Sequence, residues 1–288
     1  MLFRSSDGHR SHSQSNRSGR FCLIDFKHYW AIRRPLQGKE GLLLSLLGLL
    51  IPLMAWWALS HSGIVDSIFM PTPEQVLRRM KIWLLEDELI GDILISVARV
   101  LGGFLLSALP ALPLAVLIGT FKPMQAFFEP LTDFIRYMPA VAFIPLVMVW
   151  IGIDEGSKVA IIFIGTFFQM VLMMAEDIRR VPVEQIEAAQ TMGASTSEII
   201  HHVILKSAKP ALMDTMRITM GWAWTYLVVA ELVAANSGLG YSILKAQRYL
   251  QTDKIFAGII LIGIFGLLTD QAFRFLHRKS FPWLYFKK

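Results

Sequence analysis

The sequence predicts an all-α fold: a polytopic membrane bundle of six transmembrane helices, with a long cytoplasmic loop between the fourth and the fifth. Three observations carry that prediction. Of the 288 residues, 54% are hydrophobic and 17% charged, where a soluble domain carries about 25% charge. The apolar residues come in long blocks, the pattern of a chain that crosses a bilayer repeatedly. Lys and Arg are unevenly divided between alternate loops, which is how a membrane protein records its orientation.

From the N-terminus, residues 4–20 are polar, low in complexity and expected to be disordered. Residues 21–32 mix aromatics with Lys and His. They read either as a short amphipathic helix lying at the membrane interface or as ordinary tail. The first forty residues are too long and polar to be the leading region of a signal peptide. Spans are expected over 41–60, 93–120, 134–153, 158–175, 217–236 and 255–273. The last has a short uncharged core, Ile255 to Thr269, against the roughly 20 residues that a hydrocarbon layer needs. The domain plan is a basic cytoplasmic tail (1–40), a transmembrane domain (41–280) containing the loop 177–217, and a cytoplasmic tail (281–288).

With six spans both termini share a side. That side carries 20 Lys and Arg and the other 7, so both termini and the 177–217 loop are assigned to the cytoplasm. The net charge of +6 then reflects basic cytoplasmic loops and not a nucleic-acid partner. Cys22 is the one cysteine, so no disulfide forms within the chain, and no metal-ligand spacing involves it. Pro52, Pro110, Pro113, Pro139 and Pro145 fall within spans, where neighbouring helices re-satisfy the freed carbonyls. They predict kinked, packed helices.

The loop carries the most specific signals. Pro182 suits the first position of a helix, residues 183–192 read as helix, and Gly193 stands where a left-handed residue ends one. Ser195-Thr196-Ser197-Glu198 is a capping box that starts a second helix, with Ile199, Ile200, Val203 and Ile204 as its apolar stripe. The expected result is helix, glycine corner, helix, at the membrane surface. Ala188 and Ala189 make the first helix thin enough for another surface to approach its backbone, and Glu187 adds a charge. Glu-Ala-Ala is also simply good helix-forming sequence. Its place between two spans on the cytoplasmic side is what gives it meaning.

The stretch EAAQTMGASTSEIIHHVILKSAKPALMDTMRI resembles the signature loop of permease subunits of ATP-binding-cassette importers. PTPEQV at 71–76, SVARVLGGF at 96–104, FIRYMPAVAFIPLVMVWIGI at 134–153, AELVAANSGLGYSI at 230–243 and FPW at 281–283 are similar to the nitrate, sulfonate, taurine and bicarbonate branch of those permeases. The resemblance covers roughly residues 70–283. One departure is Leu205-Lys206, where the family's signature ends in Leu-Pro; here the proline comes at Pro210. The resemblance implies that the loop is a coupling helix seated in a cleft of a cytoplasmic ATPase, with Glu187, Ala188, Ala189, Gly193 and Ala194 as the ATPase-coupling residues. It implies as partners two ATPase subunits, an extracytoplasmic solute-binding protein and a second permease copy, giving a homodimer in a bacterial inner membrane. The chain has no G-x-x-x-x-G-K-[ST]. No cofactor is therefore expected in this chain, with ATP and Mg bound by the partner ATPase.

Residues placed by sequence in the solute pathway are Arg99, Arg136, Gln169, Glu231 and Asn236. Arg99 and Arg136 have the sign to meet an anion. The simpler readings are that Arg99 snorkels to the surface and that Arg136 marks a cytoplasmic span end. Glu231 lies inside a span, where a carboxylate is a functional hypothesis by default. It would repel an anion, which favours a hydrogen-bonded structural role. Gln169, Thr166, Asn236 and Ser237 read as solute contacts or as interhelical glue. Asp270 and Arg274 are spaced to pair, and Asp154 and Glu155 are expected to be solvated in a tight outer turn. A stand-alone secondary transporter using Glu231 and Asp270 is the alternative. A membrane-embedded enzyme would need His, Asp or Ser clustered within spans, and the sequence shows none.

Overall fold

The computed structural model describes residues 38–86 and 88–285. Regular structure among them is entirely helical. Residues 1–37 of the basic tail, with the segment 21–32, lie outside the described residues, and residues 38–40 begin the first helix. The chain divides into two units, Met1–Met54 and Ala55–Lys288. In the first, the described part is the beginning of α1 (Gly38–His61), an apolar helix that contains Pro52.

The second unit holds the end of α1 and the bundle. α2 (Pro73–Glu86) is amphipathic and too polar to be a span. The Pro-Thr-Pro-Glu-Gln sequence explains its start. The Thr72 N–H donates to the Gln75 side chain at 2.9 Å and the Gln75 N–H to Thr72 Oγ1 at 3.3 Å, a reciprocal cap with proline at the first helical position. Next come α3 (Leu89–Thr120), α4 (Lys122–Arg136), a 3₁₀ turn (Ala140–Phe143), α5 (Ile144–Ile151) and α6 (Glu155–Arg179). After the loop helix α7 (Val183–Thr191) come α8 (Leu205–Ala234), α9 (Leu239–Arg248) and α10 (Thr252–Ser280).

Among the described residues α1, α3, α6 and α10 are each long and apolar enough to cross a membrane, and α4 with the 140–151 segment makes a fifth if that bent pair is one span. Residues 217–234 of the expected span 217–236 lie on α8, whose 30 residues rise roughly 45 Å. The span expected over 134–153 is broken near its start, more sharply than the kink that its prolines predict. α4 ends at Arg136, and the next helical stretch leaves at 86° to it. The cause is Pro139, which is extended (φ −64°, ψ 120°). It has no N–H to continue a helix and pushes the preceding residue out of the helical region.

α3 lies along α6, and small residues make that possible. Gly103, Ser107, Ala111, Ala115 and Gly119 recur every four residues on one face of α3. Ser107, Ala111 and Ala115 are fully buried. A Cβ on Gly103 would sit 2.5 Å from the Ile162 side chain, and one on Gly119 would sit 2.7 Å from that of Ile178. Helices in lipid associate through such close backbone approach and through interhelical hydrogen bonds. Ser107 Oγ and Thr166 Oγ1 supply one at 2.7 Å, which makes Thr166 a packing residue and not a solute contact. Gly103→Leu is expected to lose about 1–3 kcal/mol of stability by overpacking this seam. A thermal-unfolding midpoint in detergent indistinguishable from wild type would contradict the packing.

Candidate functional site

Three features carry chemistry: a buried charge cluster at one end of the bundle, a capped loop at the other, and a cavity between them.

The cluster is centred on Arg99, which is 3% exposed and does not reach the surface as a snorkelling side chain would. Its Nε and Nη2 donate to the two carboxylate oxygens of Glu155, both at 2.6 Å. Nη1 donates at 2.7 Å to Glu231 Oε1 and at 2.7 Å to the Ser237 carbonyl. Glu231 is fully buried. It also accepts from Ser96 Oγ at 2.8 Å and from the Gly240 N–H at 2.7 Å. Lys158 Nζ donates to Glu155 at 2.7 Å. Two cations thus face two anions. Glu155 stays largely exposed, as expected of its turn, but it also joins the cluster through Arg99.

The same residues hold the start of α9. Gly238, Leu239 and Gly240 present three successive N–H groups, which a helix N-terminus leaves without internal partners. Asp92 accepts the first at 2.8 Å, Ser96 Oγ the second at 2.9 Å and Glu231 the third at 2.7 Å. Asp92 also accepts from Ser242 Oγ at 2.6 Å. Gly238 has φ +109°, and a Cβ there would lie 2.4 Å from Glu231 Oε1 and 2.7 Å from Arg99 Nη1. Only glycine meets both the backbone and the space requirement.

At the opposite end, α7 is closed by a Schellman motif. The Ala194 N–H donates to the Ala189 carbonyl at 3.0 Å and the Gly193 N–H to that of Gln190 at 2.9 Å, with Gly193 at φ +81°. Pro182 stands one position earlier than expected, as the residue before the helix. The Ser195–Glu198 capping box is formed: the Ser195 N–H donates to Glu198 Oε2 at 2.8 Å and the Glu198 N–H to Ser195 Oγ at 3.4 Å. The Ser195 hydroxyl first, then its N–H, hold the Glu198 carboxyl below its usual range. A carboxylate lowered by folding contributes stability above its ordinary value and loses it as pH falls through the lowered one. The box is therefore closed at neutral pH.

The capping box does not open a separate second helix. Thr196–Glu198 runs through a π-helical segment, Ile199–Ile204, directly into α8. Ile199 and Ile204 are buried against the core, so the apolar stripe seats the loop on its own bundle. Pro210 lies inside α8 and ends nothing. Of the five loop residues named from sequence, Glu187, Ala188 and Gly193 are exposed, Ala194 is half-buried and Ala189 is 5% exposed. Ala189 packs inward with the core, because a helix lying on a surface must turn one face to it.

The cavity, about 350 Å³, opens at the break between α4 and the 3₁₀ turn and is lined by Arg136, Gln169, Phe168, Trp222, Thr225 and Tyr226 among others. Arg136 is oriented by Asp133 (Nε to Oδ1, 2.9 Å) and donates to Tyr137 Oη at 3.0 Å. Gln169 makes no side-chain hydrogen bond among the described residues. It lies fourteen residues after Glu155, roughly 21 Å along α6. So the five pathway residues separate. Arg136 and Gln169 share the cavity, Arg99 and Glu231 pair with each other elsewhere, and Asn236 is exposed in the α8–α9 turn.

A family model described as "Binding-protein-dependent transport system inner membrane component" matches residues 111–281. The chain belongs to this family. Two relatives agree with it. A Bacillus subtilis protein named as an aliphatic sulfonates transport permease, SsuC, is 36% identical over 82% of this chain and 87% of its own length. The taurine transport system permease protein TauC of Escherichia coli is 30% identical over 87% of this chain and 92% of its own. The fold matches that of a solved methionine ABC transporter, MetNI, with a TM-score of 0.60 at 20% identity, covering 66% of this chain and 95% of that one. The cluster, loop and cavity are thus features of a transport permease.

Sequence reading missed Ser96 and Glu155 as partners in the permease's charge cluster and Asp92 as an acceptor at the start of α9. The available signals were Ser96 and Arg99 one helical turn apart and the Gly238-Leu239-Gly240 turn after Glu231. Glu231→Ala leaves three donors without their acceptor. The expected loss is about 3–5 kcal/mol, the range for removing one member of a buried ion pair, read as a collapse of the folded fraction in detergent. Wild-type stability would show that the cluster does not hold the bundle.

Proposed function

We propose that the permease is the membrane subunit of an ATP-driven importer of a small organic or inorganic oxyanion, and that it works as one of two copies with two separate ATPase subunits and an external solute-binding protein. The observation that carries this reading is the loop. A nine-residue helix, closed at Gly193 and braced by the Ser195–Glu198 box, presents Glu187 and Ala188 outward. A short rigid helix with a small residue on its free face is suited to being gripped and moved by a soluble partner. The partner ATPase binds ATP and Mg; this chain supplies the lever. The excess of Lys and Arg supports a cytoplasmic loop and cytoplasmic termini, with α8 crossing as a sixth span.

The cavity supports the cargo class. Discontinuous helices characteristically form transporter binding sites near the bilayer midplane. The bend at Pro139 places Arg136 beside the middle of α6 and α8. An arginine, an amide and a threonine among aromatic rings suit an oxyanion with a small apolar part. The relatives named for sulfonates and taurine point the same way. An ion-coupled carrier would need a membrane carboxylate free to load. Glu231 is paired with Arg99 at 2.7 Å and Asp270 with Arg274 at 2.7 Å and Arg217 at 3.5 Å, which disfavours that mechanism.

Two outcomes are expected. Glu187→Arg and Ala188→Trp abolish uptake while the variants still insert and fold; normal uptake with normal co-purification of the ATPase would overturn the loop's role. Arg136→Gln raises the concentration of anion needed for half-maximal uptake by roughly tenfold, the effect of losing about 1.4 kcal/mol from one charge-assisted contact. An unchanged concentration dependence would remove Arg136 from the pathway.

A further inference from the structure

We propose that the Glu155–Arg99 ion pair is a releasable latch that holds the outer ends of α3, α6 and α8 together, while Arg99–Glu231 is its fixed base. The proposal rests on the importer reading above, which places this end of the bundle outside.

The two arms of Arg99 differ in burial. The Arg99 side chain is 2% exposed and that of Glu231 0%, whereas that of Glu155 is 62% exposed. They also differ in what separation would leave behind. If Glu155 withdraws, Arg99 keeps Glu231 and the Ser237 carbonyl, both at 2.7 Å. Glu155 keeps Lys158, three residues along its own helix, at 2.7 Å. Each charge retains an opposite partner. Opening this arm therefore avoids the orphaned buried charge that makes ordinary buried pairs so costly to break. Opening the other arm would strand the fully buried Glu231 with only neutral donors, Ser96 Oγ and the Gly240 N–H, and no opposite charge. One arm is built to part and the other to stay.

The contact is also discrete. Glu155 takes Nε and Nη2 as a bidentate fork at 2.6 Å each, a geometry that holds within a narrow range of orientation. Small rotations of α6 would switch it and not stretch it, which is the property of a two-state element. Glu155 is the first residue of α6. Gln169 on the same helix lines the cavity, and Ile178 near its other end packs in the core with Val181, Ala189 and Ile199 of the loop. One rigid helix thus carries the latch, a wall of the cavity and the seat of the coupling helix. A displacement at the loop has a direct mechanical path to the Glu155–Arg99 pair.

The test uses the complete transporter, with its ATPase subunits, in proteoliposomes, and compares wild type with Glu155→Gln, which keeps the size of the side chain and removes its charge. The measurements are ATP hydrolysis with and without the solute-binding protein and the thermal midpoint of the complex. The expected result is a rise of about fivefold or more in hydrolysis without binding protein, the lower end of measured coupling between sites, with a thermal midpoint close to wild type. Unchanged basal hydrolysis would overturn the latch. So would loss of the folded complex, because the pair would then be a fixed brace. If wild-type hydrolysis is not stimulated by the binding protein at all, it is the importer reading that fails.

Discussion

A guanidinium that is 3% exposed in an apolar bundle exists only if every donor is answered, and the architecture at one end of this protein follows from that need. Arg99 sits on α3. Its acceptors come from the first residue of α6, the last turns of α8 and the turn that leads into α9. Four segments meet because one charge has to be neutralised. The glycines at 238 and 240 reflect the same constraint: their backbones approach Glu231 too closely for a side chain. Asp92 and Ser96 complete the arrangement by accepting the Gly238 and Leu239 N–H groups. The ions fix where α9 begins, and the helix N-terminus in turn favours the carboxylate beside it.

The rest of the bundle is joined by a different force. Along α3 and α6 small side chains let the backbones approach, and dispersion over that seam replaces the hydrophobic effect, which lipid does not supply. This seam runs from the charge cluster toward the loop. Beyond it, the buried Ile199, Ile204 and Ala189 seat the loop on the bundle, and Glu187 and Ala188 on α7 stay exposed. Ion pairing at one end, close packing through the middle and capping at the other are three separate solutions. α6 takes part in the first two, and its Ile178 packs in the same core as Ala189 and Ile199 of the loop.

Much of this is legible in the sequence where the determinants are local. Gly193 and the Ser195–Glu198 box lie within a few residues of what they cap, so their pattern alone locates the loop. Hydropathy locates α3, α6 and α10 because each is a continuous apolar block. At 134–153 it does not show the break, because composition stays apolar across it and only Pro139 signals the 86° bend. Caps do not separate the loop's second helix from α8, since the chain passes through a π-helical segment without stopping. Phase along α7 does not say which face meets the bundle, and Ala189 turns inward while Ala188 does not. Arg99 is hardest. Its partners are 56 and 132 residues away, and no local pattern encodes such pairing.

The proposed mechanism requires the charge cluster and the 183–198 loop to lie at opposite membrane faces, joined by α6. Asp154 and Met192 are both exposed, Met192 at 82%, and Cys22 is the one native cysteine. In a Cys22→Ser background, Asp154→Cys and Met192→Cys can be labelled with a membrane-impermeant maleimide. Position 154 is expected to label only in right-side-out vesicles and position 192 only in inside-out vesicles. Labelling of both from one side, or the reverse assignment, would contradict this arrangement.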